Sequence, residues 1–169
     1  ADTLKCNYKK NICDKLDKVV GIKTPMMIAS GTIINENIIV TNRHVVEDHK
    51  QFVIKFNNGE IKKAFPLPHN FPADLALLSL KKEPHKLNEL LKSNKIIGKI
   101  RVIAYDQGRN ANRIYNPGKV ISFSDFNKYP QARIHTTAKS LPGNSGGSVV
   151  DENGELIGIL ASGDGNINE

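Results

Sequence analysis

The sequence predicts an all-β domain made of two strand-rich halves around one linker. Three observations predict it. Short apolar runs rich in β-branched residues recur with Asn, Gly and Pro between them, the pattern of antiparallel hairpins. Between residues 81 and 95 the composition shifts to Lys, Glu, Asn and Leu. The strand rhythm then resumes and holds as far as Leu160. This layout favours paired small barrels or a sandwich over any α/β arrangement.

In the first half, Met26-Met27-Ile28-Ala29 and Thr32-Ile33-Ile34 lead to a polar break at Asn35-Glu36-Asn37, after which Ile38-Ile39-Val40-Thr41 resumes. Phe52-Val53-Ile54-Lys55-Phe56 follows, then a turn at Asn57-Asn58-Gly59 and a return strand from Ile61. Asp74 introduces Leu75-Ala76-Leu77-Leu78-Ser79-Leu80, which closes this half. Leu87, Leu90 and Leu91 stand at helical spacing and predict a short helix in the linker. Strands return at 96–105, 118–123, 132–137 and 148–150, and Asp151-Glu152-Asn153-Gly154 turns a last hairpin into Glu155–Leu160. The chain is expected to be a single domain: a leader over 1–18, a first half over about 19–82, a linker over 83–95, a second half over about 96–163 and a tail over 164–169.

Hydrophobic residues make up 39% and charged residues 24% of the 169 positions, ordinary values for a folded protein. No run of eighteen apolar residues occurs, so no membrane span is expected. The net charge of +7 raises the question of an acidic partner. Its lysines are scattered, however, and no aromatic-interleaved basic stripe is present to stack bases, so nucleic acid is not expected as a partner. Cys6 and Cys13 stand seven apart with no His or Cys cluster near them, which does not fit zinc. Two readings stand: a local disulfide, which implies an exported protein, or two reduced thiols in a frayed leader. The chain starts at Ala1, as a processed form or a piece of a longer protein would.

The chemistry concentrates in three segments. In Gly143-Asn144-Ser145-Gly146-Gly147, glycines on both sides of a serine permit a tight, left-handed backbone that lifts the hydroxyl clear. They also let the N–H groups of Gly143 and Ser145 turn toward one point, as an acyl-transfer enzyme requires for its oxyanion. A glycine-rich hairpin without function would read the same way. His44, in Thr41-Asn42-Arg43-His44-Val45-Val46, ends an apolar strand and suits a general base, although a lone His is commonly structural. Asp74, just before an apolar run, is a carboxylate that must find a donor. A histidine N–H is a suitable one, and a plain strand-entry cap is the alternative.

Together these segments decide the matter. The series Thr41–Val46, Ala73-Asp74-Leu75-Ala76-Leu77-Leu78 and Pro142–Gly147 resembles the motif series of chymotrypsin-like serine proteases, most closely the bacterial HtrA/Deg-type and glutamyl endopeptidase-type enzymes. His, Asp and Ser follow in that order, 30 and 71 residues apart. The likeness extends over Ser30-Gly31-Thr32-Ile33-Ile34 and Gly154–Ile159. It implies two six-stranded antiparallel β-barrels of the chymotrypsin-like fold with the active site in the cleft between them. It further implies a His44-Asp74-Ser145 triad and an oxyanion hole at Gly143, Asn144 and Ser145. No metal or cofactor is expected, the partner is a peptide or protein substrate, and the protein is expected to be exported. The oligomeric state stays open. A catalytically silent protease-fold binding module is the alternative function, and a basic nucleic-acid-binding barrel a third.

Within the resemblance, the specificity pocket falls to Lys139, Ser140, Leu160, Ala161 and Ser162. Lys139, six before the nucleophile, would favour an acidic residue before the cut by a charge-assisted pair. Glutamyl endopeptidases carry a histidine where this chain has Leu160, and a lysine reaching into solvent is the plain alternative. His135 is treated as a strand residue. Lys18-Val19-Val20-Gly21-Ile22 is similar to the activation site of trypsin-type zymogens, whose new N-terminus pairs with an aspartate beside the nucleophile. Asn144 stands at that position, so cleavage at Lys18 is not expected to be required. No PDZ-like segment is expected after Gly163, and the sequence gives regulated assembly of the HtrA type no support.

Overall fold

A computed structural model of the chain describes residues 6–67, 74–81, 98–123 and 134–161. The expected linker with its helix, Ser162 and the tail lie outside the described residues.

The first half is a closed barrel. Its strands are β1 (Val19–Lys23), β2 (Ile28–Asn35), β3 (Ile38–Thr41), β4 (Phe52–Lys55), β5 (Ile61–Leu67) and β6 (Ala76–Ser79), in the order β1-β2-β3-β6-β5-β4. Every neighbouring pair is antiparallel. Closure leaves no strand edge open to a second chain. Val20, Ile22, Ile39, Phe52, Ile54 and Leu78 fill the interior. All four residues of β3 are buried. Ile39 points inward, while Ile38 and Val40 join Leu77 and Ile159 in a cluster between the two halves. That double burial explains why β3 reads as a continuous apolar run and not as an alternating one.

Among the described residues the second half also has six strands: β7 (Lys99–Asp106), β8 (Ala111–Ile114), β9 (Gly118–Phe123), β10 (Ile134–Thr136), β11 (Ser148–Asp151) and β12 (Leu156–Ile159). They run β10-β9-β7-β11-β12, and β8 shares an edge of β7 with β9. The long β7 makes this possible. Its first residues pair with β9 at Lys99↔Lys119, its last with β8 from Ile103↔Ile114, and its other edge takes β11. Among the described residues the sheet is a half-barrel, curved around Ile100, Val102, Tyr115, Val149 and Leu160.

Residues 6–18 pack against this body. Cys6 and Cys13 form a disulfide. The short helix α1 (Lys10–Cys13) runs into a 3-10 helix over Asp14–Lys18. Ile12 is buried among Val19, Ile103 and Val150, and Asn11 Nδ2 donates to the Asn153 carbonyl at 2.9 Å. No helix among the described residues is long and apolar enough to cross a membrane.

Candidate active site

The register of β3 and β6 brings His44 and Asp74 together. Thr41 and Ala76 are paired at one end of these antiparallel strands. Three residues beyond Thr41 and two residues before Ala76 therefore emerge on the same rim. There the chain after β3 forms a single helical turn, α2 (Arg43–Val46), capped by backbone bonds from Val45 and Val46 to the Asn42 carbonyl. His44 Nδ1 lies 2.7 Å from Asp74 Oδ2, and the His44 backbone N–H donates to Asp74 Oδ1 at 3.1 Å. One carboxylate thus holds both the ring and the backbone of the histidine. Asn42, wholly buried, donates from Nδ2 to the Asp74 carbonyl oxygen at 3.0 Å and ties the two segments together from below. Both partners keep part of their surface open, 42% for His44 and 35% for Asp74, so the pair faces solvent where a substrate can reach it.

Ser145 comes from the other half, on the loop leading into β11. Gly143 and Gly146 both adopt φ of +91°, which side chains with a Cβ rarely tolerate. Gly146 N–H donates to the Leu160 carbonyl and Leu160 N–H to the Gly147 carbonyl, which fastens the loop to the residue that follows β12. Asn144 N–H donates to the Leu141 carbonyl, while Asn144 Oδ1 accepts from Leu141 N–H at 2.6 Å. The buried Asn144 Nδ2 donates to the Tyr105 carbonyl and to the Tyr115 hydroxyl, both at 3.1 Å. Burial pushes the Tyr115 hydroxyl above its ordinary pKa, with the Asn144 hydrogen bond pulling it back. The phenol therefore stays neutral at ordinary pH and can accept from the amide.

Gly143 N–H and Ser145 N–H donate to no acceptor among the described residues, in contrast to the committed N–H of Asn144. Asn144, grouped with these two from the sequence, is a brace of the loop and not a free donor. Ser145 Oγ donates to the Ala161 carbonyl oxygen at 3.1 Å, and no hydrogen bond joins it to His44 among the described residues. Of the other pocket residues, Lys139 is exposed with its backbone N–H on the Asn116 carbonyl, Ser140 is half-buried and Leu160 is buried. Ser162 lies outside the described residues, and His135 is half-buried on β10.

The barrels meet in a polar seam beneath the loop that sequence reasoning passed over. Ser30 N–H donates to the Ser145 carbonyl at 2.9 Å, and Thr32 Oγ1 donates to the Gly146 carbonyl at 3.1 Å while sharing a hydrogen bond with Ser148. Thr41 Oγ1 donates to the Ser30 carbonyl at 2.9 Å. The signal was available: Ser30 and Thr32 are small polar residues at buried positions of an otherwise apolar strand.

A model of the trypsin-like peptidase domain matches residues 29–159. The chain is 32% identical over 143 residues to a "probable periplasmic serine protease do/HhoA-like" of Haemophilus influenzae, covering 78% of this chain and 30% of that protein. It spans well under half the length of the curated relatives it matches. Among solved structures it is similar to an HtrA-type protease, an AlgW variant with a tripeptide. There the TM-score is 0.72 and the identity 25%, over 96% of this chain and 58% of that one. It is also similar to an inactive form of Rv3671c from M. tuberculosis H37Rv, with a TM-score of 0.73 and 18% identity over 94% of this chain and 82% of that one. At that identity the second likeness speaks for the fold alone. A closed barrel beside a half-barrel, with few helices, is the chymotrypsin-like two-barrel fold.

Proposed function

The chain belongs to the trypsin-like peptidase family, and from that premise we propose that it is a serine endopeptidase acting through an acyl-enzyme on Ser145. The observation that carries the reading is the grip of Asp74 on His44, 2.7 Å at the ring and 3.1 Å at the backbone. With Nδ1–H held by the carboxylate, Nε2 is the basic nitrogen. It takes the proton of Ser145 Oγ as that oxygen attacks the scissile carbonyl, and returns it to the leaving amine. Asp74 stabilises the imidazolium that forms between the two steps. The uncommitted N–H groups of Gly143 and Ser145 receive the oxyanion, each such donor contributing about 3–4 kcal/mol in comparable enzymes.

Ser145 Oγ must first leave the Ala161 carbonyl for His44. That exchange of one neutral hydrogen bond for another costs about 1 kcal/mol or less, small against a chemical barrier. Such bonds are commonly unformed before substrate arrives. A substrate with an acidic residue before the cut is the finer proposal, supported by Lys139 near the loop. Because Lys139 is exposed, its preference is worth about 1 kcal/mol at most, roughly fivefold. An exported location is supported by the Cys6–Cys13 disulfide and by relatives named as periplasmic.

The test is a cleavage-site profile of a peptide library by the wild type beside Ser145→Ala. Cleavage is expected only with the wild type, enriched for Asp or Glu before the cut. Cleavage without that enrichment removes the acidic preference alone. An unreactive Ser145 toward a fluorophosphonate, in folded protein, removes the protease reading in favour of a silent binding module.

A further inference from the structure

Ser30 lies on β2 in the closed barrel, wholly buried at the seam. A hydroxyl taken out of water without partners costs about 1–3 kcal/mol, so a serine held there must find them. Its side-chain oxygen accepts from Tyr105 N–H at 2.9 Å and donates to the Gly143 carbonyl at 3.2 Å. Its backbone N–H donates to the Ser145 carbonyl at 2.9 Å, and its own carbonyl accepts from Thr41 Oγ1 at 2.9 Å. Every polar group of this one residue is committed, and two of the four partners belong to the nucleophile loop.

The positions of those two partners matter. Gly143 C=O belongs to the peptide unit between residues 143 and 144, and Ser145 C=O to the unit between 145 and 146. The unit carrying Ser145 N–H, between 144 and 145, lies between them. Each planar unit turns as a whole about the axis through its two Cα atoms, so the neighbours set where the middle unit's axis lies, and the Gly147 N–H bond to the Asn144 carbonyl at 2.9 Å sets its turn about that axis. Ser30 pins both neighbours. The Tyr105 N–H sets the direction of the hydroxyl by occupying a lone pair, which leaves the hydroxyl proton for Gly143.

We propose that Ser30 is a positioning residue of the oxyanion site: from the opposite barrel it fixes the orientation of the loop that presents Gly143 N–H and Ser145 N–H. It acts through the loop and touches no substrate. This inference rests on the protease reading above. Thr32, two residues along the same strand, grips Gly146 and Ser148 and leaves Gly143 untouched, so the two hydroxyls of the seam have different tasks.

The test compares wild type, Ser30→Ala and Ser79→Ala for the rate of phosphonylation by an alkyl fluorophosphonate. Ser145 is confirmed as the site by peptide mass, and the phosphorus resonance of the adduct is recorded. Ser79 is an equally buried hydroxyl, accepting from Lys81 N–H far from the loop, and controls for general loss of stability. Folded Ser30→Ala is expected to react about tenfold or more slowly, and its phosphorus resonance to move toward that of the urea-unfolded adduct. Ser79→Ala is expected to stay within about twofold of wild type with the resonance unmoved. A folded Ser30→Ala that reacts within that same range, or one that slows without any movement of the resonance, overturns the role. If Ser30→Ala does not fold, Ser30→Cys replaces it. Its sulfur can accept from Tyr105 N–H but is a weak donor to Gly143, so the same slowing is expected and a wild-type rate overturns the role. A wild type that fails to react at Ser145 rejects the protease reading itself, and this inference with it.

Discussion

Replacing Gly146 by alanine separates two costs that the nucleophile loop imposes on its backbone. At φ of +91° a Cβ is strained wherever it sits, by about 1–2 kcal/mol. At Gly146 the added carbon would also lie far inside contact distance of the Ser30 carbonyl oxygen and 2.6 Å from Thr41 Oγ1. Neither neighbour yields easily, since the first is strand backbone and the second donates to it. Overpacking of this kind costs about 1–3 kcal/mol, and the strained Thr41–Ser30 hydrogen bond about 1 kcal/mol more. The expected loss is about 3–6 kcal/mol, a large share of the 5–15 kcal/mol that holds a domain together. Gly59 and Gly158 supply the comparison. Gly59 has φ of +90° but open space around its missing Cβ, so Gly59→Ala isolates the backbone strain at about 1–2 kcal/mol. Gly158 has neither feature, and Gly158→Ala is expected to stay within about 0.5 kcal/mol of wild type. Urea denaturation of the three variants reads these values directly, and thermal melts should fall by roughly 2–4 °C per kcal/mol. A Gly146→Ala no less stable than Gly59→Ala would refute the reasoning, because the clash with the opposite barrel would then carry no weight.

Lys18→Ala is expected to phosphonylate within about twofold of wild type, as surface changes usually allow. Val19 is wholly buried in β1, paired with Thr32, and Asn144 is already braced by Leu141, Tyr105 and Tyr115. A folded but unreactive Lys18→Ala would show that the loop needs a freed N-terminus after all. Removing the disulfide by Cys13→Ser should lower stability by about 2 kcal/mol on the chain-entropy account of so short a loop. The same shift should appear when reductant is added to the wild type and not when it is added to the variant. An unchanged melting temperature in both would mean that Ile12 and Asn11 hold residues 6–18 in place without it.

The strand pattern was legible wherever one face of a strand is wet or a turn is marked. Asn57-Asn58-Gly59 announces the β4–β5 hairpin because only a residue free of a Cβ sits easily at φ of +90°. The order and spacing of His44, Asp74 and Ser145 were legible because each carries its own local signature. The anchoring of residues 6–18 was not legible, since the lysines that make them look solvated flank a single buried anchor, Ile12. Periodicity does not register one residue.

The sequence by itself determined the family resemblance, the strand-rich halves and the three residues of the candidate triad. Backbone preference, turn chemistry and glycine placement act over a few residues, and these can be read in order along the chain. Only the tertiary structure decided what supports them: that Asp74 holds His44 at two atoms, that Asn144 braces the loop without lending its N–H, and that Ser30 and Thr32 fasten that loop from the other barrel. The Ser30–Gly143 bond joins residues 113 positions apart. No local preference encodes such a bond, which exists only because two separately folded sheets bring buried polar groups to one seam where each must find a partner.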